Sequence, residues 1–331
     1  MKNSRANFVS TIAVGAMTVI MLSASRSAHA ADATNAPAAN NRREAVRFSK
    51  PDVKYQHGPD SQRKDGVPRG TITDIDWKES KVFPGTIRHG SVYVPKQYDA
   101  AKPAALMVFQ DGHTYQKEDG DFRVPVVFDN LIAAKEMPVT IAVFIDPGFK
   151  LKEFPTAPRG WKPEPANRSF EYDTLSTAYS EFLLTEILPD LRKKYNITDD
   201  PEGRASCGIS SGGICAFAVA WNRPDQFRKV VSHVGSFTNI RGGNKTPDIV
   251  RTNDWKPLRV FLQDGANDLR SSPQNRRPGW NWVVGNMNLA AVLEEKDYDY
   301  KYVFGEGSHN GNHGGTIFPD TMRWLWRDYA K

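Results

Sequence analysis

Cysteine is nearly absent from this chain, with only Cys207 and Cys215 in 331 residues. That scarcity excludes a disulfide-stapled scaffold and leaves room for one bridge at most. The two flank a single turn, one ending a strand and the other in the second turn of the next helix. That spacing strains the roughly 7 Å Cα separation a bridge tolerates, so they read as small buried residues. Beyond the first 30 residues no apolar run is long enough to cross a bilayer. Charge of one sign is concentrated nowhere. The net charge is +6, of which Lys2, Arg5 and Arg26 supply three, leaving a mild excess on the rest. Scattered basic residues argue against a nucleic-acid partner. No internal repeat is present. What remains is an ordinary globular composition, 39% hydrophobic and 25% charged, with length for one large core.

The first 30 residues stand apart. Lys2 and Arg5 are basic, Phe8 to Ala24 is largely apolar, and Ala28-His29-Ala30 is a small-x-small cleavage site. This pattern predicts a secretory signal peptide over 1–30, hence a secreted or periplasmic protein without a membrane span after cleavage. Ser10, Thr11, Gly15 and Thr18 dilute a stretch already short for an anchor of about 20 apolar residues. Residues 31–68, first rich in Ala, Asn and charge and then in polar turn formers, predict a flexible tail or linker. The catalytic domain is expected over 69–331, its first strand opening at Gly70-Thr71-Ile72-Thr73.

The most informative run is Gly208-Ile209-Ser210-Ser211-Gly212, a G-x-S-x-G pattern. Its context matters more than the letters. Arg204 to Gly208 can finish a buried strand, and Ile214 to Trp221 reads as a buried helix stopped near Pro224. Lys229 to Ser236 supplies the next strand. Strand, sharp turn and helix are what put a serine hydroxyl at the head of a helix. The alternative is a Gly/Ser loop without chemistry.

A serine is a poor nucleophile until a histidine takes its proton and a carboxylate orients that histidine. With Ser210 as nucleophile, the expected order is Ser, acid, His. The strand Leu258 to Gln263 ends in two carboxylates, Asp264 and Asp268. Asp268, further out on the loop, is favoured; Asp264 reads as a turn residue bonding its own backbone. The last strand, Tyr300 to Phe304, runs into a Gly-rich loop carrying His309 and His313. His309, nearer the strand, is the expected base and His313 the fallback. His-x-x-x-His spacing also suits zinc on a helix. The intervening Asn-Gly-Asn opposes a helix, and the metalloprotease Glu is missing, so no metal or cofactor is implied. An oxyanion needs two backbone N–H groups. Ser211 and His113, the latter on the turn after the strand Ala104 to Gln110, are the expected donors.

These segments resemble the esterase branch of the α/β-hydrolases. That branch holds the enterochelin esterases, feruloyl and acetylxylan esterases, S-formylglutathione hydrolase and the mycolyltransferases. The resemblance covers the chain from about residue 80 onward and rests on four stretches. These are Ser91 to Pro95 with Phe109-Gln110-Asp111-Gly112; Tyr179 to Pro189; Gly208 to Gly213; and Gly307-Ser308-His309-Asn310 with the terminal Arg323-Trp324-Leu325-Trp326. It implies an α/β-hydrolase fold, with a mostly parallel central sheet and helices on both faces. It also implies His309 and Asp268 as base and acid, and His113 as an oxyanion donor. Ser308 and Asn310 depart from the Gly and Asp usual around that histidine, which leaves the substrate class open.

Elsewhere the chain alternates strands and helices, as a parallel sheet requires. Leu175 to Leu191 carries apolar residues at three- and four-residue steps and predicts one helix over 170–195. Insertions at 147–168, with Trp161, at 237–256 and at 270–284 are expected to build the substrate site. Trp280 and Trp282 could stack on a sugar or aromatic acyl group, or simply pack the loop. Arg168 and Glu171 read as an ion pair, structural or lining the pocket. The function expected is a serine esterase acting on a small-molecule or polysaccharide ester, with carbohydrate-, feruloyl- and siderophore-linked esters all open. The alternatives are an acyltransferase on the same machinery and a non-catalytic carbohydrate-binding relative.

Overall fold

The computed structural model describes residues 53–154, 167–272 and 276–329. The expected signal peptide, most of the tail and Trp161 lie outside the described residues. The strands are β1 (Thr71–Trp77), β2 (Arg88–Val94), β3 (Ala105–Gln110), β4 (Thr140–Ile145), β5 (Arg204–Ile209), β6 (Lys229–His233), β7 (Arg259–Asn267) and β8 (Asp299–Ser308). They form one sheet in the order β1-β2-β4-β3-β5-β6-β7-β8. The pairings β1–β2 and β2–β4 are antiparallel; from β4 to β8 every pairing is parallel. This is the mostly parallel sheet the alternation of elements predicts.

Strands β3 to β6 are buried along their whole lengths, as strands covered on both faces must be. The pleat sorts their side chains into two cores. Leu106, Val108, Ile141 and Val143 face one core, and Met107, Phe109, Ala142 and Phe144 face the other. The helices are α1 (Val124–Ala133), α2 (Arg168–Asp173), α3 (Ala178–Phe182), α4 (Leu188–Arg192), α5 (Ser211–Asn222), α6 (Thr246–Thr252), α7 (Trp282–Glu295), α8 (Asn312–Thr316) and α9 (Phe318–Leu325). Helices α2 to α7 supply the first core; α1 and α9 close the second with Phe128, Leu131, Phe318 and Leu325. The edge strand β1 alternates Thr and Asp with Ile and is largely exposed, a composition that discourages edge-to-edge pairing.

Two expectations change. The single helix over 170–195 is three pieces. Thr174 to Thr177 interrupt it, since hydroxyl side chains compete for backbone groups. Before Pro189, which has no N–H to donate, the chain widens into a π-turn over Leu183–Ile187, closed by Leu188 N–H to Leu183 C=O. The second change is at residues 53–68, expected as the end of a tail. They are held against the domain, Asn130 donating to the Asp60 and Gln62 carbonyls at 2.9 and 2.8 Å. Cys207 and Cys215 are buried and unbridged.

Candidate active site

The elbow sits between β5 and α5. Ser210 has φ 58° and ψ −121°, a left-handed conformation costing about 1–3 kcal/mol for a residue with a side chain. Hydrogen bonds hold it there: Ser210 N–H donates to His233 C=O, and its own carbonyl accepts from Ser236 N–H, both at 2.9 Å. Gly208 is required by proximity, because a Cβ there would lie 2.1 Å from the Gly212 carbonyl oxygen. Only a bare backbone lets the first turn of α5 fold back over the strand.

Three side chains from separate loops converge at this bend. His309 follows β8, and its Nε2 lies 2.8 Å from Ser210 Oγ. Its Nδ1 lies 2.6 Å from Asp268 Oδ1, on the loop after β7. Between Gly265 and Asn267 the β7–β8 pairing shifts register, and such an irregularity re-aims the residues beyond it. Asp268 is fixed further by Leu269 N–H at 2.5 Å. Its side chain is fully covered, whereas that of His309 is 20% exposed. Asp268 is therefore dry, while His309 and Ser210 reach solvent.

Burial pushes the His309 imidazole down to about 4, Asp264 opposing and the Arg168 charge assisting. The ring is thus neutral at physiological pH and able to accept a proton from Ser210. Asp264 is more than a turn residue. It is buried on β7 against Asp268, and burial together with that neighbour pushes its carboxyl up to about 9. Neither Asp264 oxygen nor Asp268 Oδ2 has another partner among the described residues. A neutral Asp264 O–H turned toward Asp268 Oδ2 would satisfy one oxygen of each.

Other expected site residues fall differently. The His113 N–H donates to Asp146 Oδ1 at 2.9 Å, and its ring Nδ1 lies 2.8 Å from the same oxygen. An N–H turned toward a carboxylate is not aimed at an oxyanion, so His113 does not serve as the second donor here. Ser211 opens α5, so its N–H has no carbonyl one turn earlier in the helix to bond. His313 lies away from Ser210, stacked on Tyr55 at 4.3 Å and bonded to Gln263 at 3.2 Å. Trp282 is buried and packs edge-on against His309 at 5.2 Å; its Nε1–H donates to Ser236 Oγ. It is a wall of the site rather than an open stacking face. Trp280 is half-buried, with Arg277 4.7 Å over its ring.

Arg168 and Glu171 do not pair with each other. Arg168 clasps Asp111 with Nε–Oδ1 2.7 Å and Nη2–Oδ2 2.5 Å, and also donates to the Ile209 carbonyl at 3.4 Å. This sets a fixed positive charge beside the elbow. Glu171 instead binds the buried Arg88 through two hydrogen bonds, at 2.8 and 3.1 Å. Sequence reasoning missed Ser236, whose Oγ is 3.3 Å from Ser210 Oγ, because nothing in its spacing marks it. It also missed the Arg168–Asp111 clasp; Asp111 follows β3 directly, where a carboxylate at a strand end could have signalled a site.

Residues 80–314 match the family model described as "Putative esterase". The uncharacterized protein YbbA of Bacillus subtilis is 20% identical over 214 residues, 64% of this chain and 80% of that one. Enterobactin esterase from Shigella flexneri superposes with a TM-score of 0.58 at 20% identity, over 79% of this chain. The matched region covers 61% of that enzyme, so the chain spans less than two thirds of its length. A ferulic acid esterase from Anaeromyces mucronatus, solved in complex with ferulic acid, gives 0.59 at 18% identity, over 81% of this chain and 95% of that one. At such identities the structural likeness carries the fold.

Proposed function

The chain belongs to this esterase family, and on that premise we propose that it is an exported serine esterase cleaving a carboxylic ester through an acyl-enzyme. The Asp268–His309–Ser210 relay, with contacts of 2.6 and 2.8 Å at a strained bend, carries the reading. Ser210 Oγ attacks the ester carbonyl carbon as its proton passes to His309 Nε2. The carbonyl π electrons move onto oxygen, and the Ser211 N–H receives that oxyanion. Collapse breaks the bond to the alcohol oxygen, which takes the proton back from His309. Water then repeats the sequence, releasing the acid and restoring Ser210. Asp268 holds His309 in the tautomer with the proton on Nδ1 and stabilises the imidazolium.

An aromatic or anionic acyl group would suit the exposed Phe170 ring, on the same helix as Arg168, and the two cations beside it. Phe170 is 50% exposed, with Lys150 and Arg241 at 5.9 and 5.6 Å from its ring centroid. Ferulic acid, named with one structural neighbour, is of that kind. The test is a covalent serine probe together with an aryl-ester panel. Wild type should be labelled and hydrolyse feruloyl or benzoyl esters, while Ser210→Ala should lose both, by roughly 10³-fold or more in kcat. Labelling that survives Ser210→Ala would contradict the assignment. Product transfer to an added sugar in preference to water would move the reading to an acyltransferase.

A further inference from the structure

The segment just ahead of the first strand crosses behind the loop that presents His309. The Tyr55 ring stacks on His313 at 4.3 Å with an interplanar angle of 10°. Its hydroxyl accepts from Glu306 N–H at 3.0 Å. Glu306 is three residues before His309, in the irregular stretch of the β7–β8 pairing where Gly265 opposes Gly305 and Asn267 opposes Ser308. Among the described residues β8 is also the last strand of the sheet, with no strand on its far side. Regular ladder bonds therefore hold this stretch poorly, just where the catalytic geometry needs precision. The seat is shaped for the tyrosine: a Cβ on Gly305 would meet His313 Cε1 at 2.5 Å and Tyr55 Oη at 2.7 Å. The segment is anchored beyond Tyr55, Asp60 reaching Arg323 and Arg63 reaching Asp129, each at 2.5 Å.

The geometry points to residues 55–63 as a strap, with Tyr55 a positioning residue that holds the end of β8 so that His309 meets Ser210 and Asp268 at once. This rests on the serine-esterase reading. Tyr55 touches none of the reacting atoms; it acts through Glu306 and His313. A strand end free to shift by an ångström lowers the rate without changing how substrate binds, because misplacement of that size costs up to about 100-fold in rate.

The experiment uses the full chain as wild type, Tyr55→Ala, Tyr55→Phe and Ser210→Ala. It measures kcat and KM on an aryl ester, covalent labelling by a fluorophosphonate, and the low-field proton NMR signal of the His309 ring N–H facing Asp268. Tyr55→Ala should lower kcat roughly tenfold with KM within about twofold, and should broaden the His309 signal. Tyr55→Phe keeps the stack and loses only the acceptor, so it should recover most of that loss. Wild-type kcat and an unaltered His309 signal in Tyr55→Ala overturn the strap, whatever its melting temperature. If Tyr55→Ala does not fold, Tyr55→Leu, which keeps apolar bulk but loses both the stack and the acceptor, takes its place, and wild-type kcat with an unaltered His309 signal there overturns the strap. Labelling that persists in Ser210→Ala overturns the nucleophile assignment instead, and the His309 signal alone then judges the strap.

Discussion

Ser210 occupies backbone space that a side chain normally avoids, at φ 58°, and the G-x-S-x-G spacing makes that bend legible in the sequence. What the spacing could not express is the protonation of the acid pair beside it. Asp264 and Asp268 are four residues apart on one strand end, and both are buried. An acid whose folded pKa is raised stabilises the fold fully below its unfolded value near 4. That contribution is lost as pH climbs through about 9. His309, depressed to about 4 from 6.5, acts with the opposite sign and only between those two values. Above about pH 7.5 the slope at this site therefore belongs to Asp264. Asp264→Asn keeps a donor toward Asp268 and has no proton to lose. Urea unfolding at about pH 7 and pH 9.5 should show the variant gaining on wild type as pH rises; a constant gap would mean that Asp264 is already ionised at neutral pH.

Among the elements, α2 shows how a short helix is pinned where propensity alone would not hold it. It is six residues long, below the length at which a helix is stable in isolation. Glu171 in its first turn binds Arg88 of β2, both side chains at 0% exposure, and Arg88 also lies 4.2 Å over the Phe182 ring of α3. The anchored helix sets Arg168 beside the elbow. Glu171→Gln leaves the Arg88 charge buried without its counterion, which should cost about 3–5 kcal/mol in denaturant unfolding. Adding Arg88→Met should recover much of that loss, and a double variant no more stable than the single would show that the charge was not the cause. The periodicity from Leu175 to Leu191 marked the apolar face correctly. It could not mark the breaks, which depend on hydroxyl competition at Thr174 to Thr177 and on the missing N–H of Pro189.

The described residues form a sheet with one core on each face, and the candidate active site lies where β5, β7 and β8 deliver their loops to the same end. Parallel strands make that convergence automatic, since all of them point the same way. The proposal of an exported enzyme also belongs at this scale, because it concerns what precedes the catalytic part. Protein recovered from the periplasm or medium of a secreting bacterium should begin at Ala31, read by mass spectrometry of the N-terminal peptide. Recovery only from the cytoplasm, with residues 1–30 still attached, would refute export.

Strand and helix alternation, the strand-turn-helix elbow and the chain order of the candidates Ser210, Asp268 and His309 were all set by local pattern. Each depends on residues near one another in the chain, or on a topology that such patterns imply. The neutral Asp264, the commitment of His113 to Asp146, the Arg168 clasp on Asp111 and the reach of Tyr55 to Glu306 were decided only by folding. Each of these turns on which group lies beside which once the sheet has closed, and on how much water that contact excludes. Burial and partnership of this kind are properties of three-dimensional neighbourhoods, and no spacing along the chain encodes them.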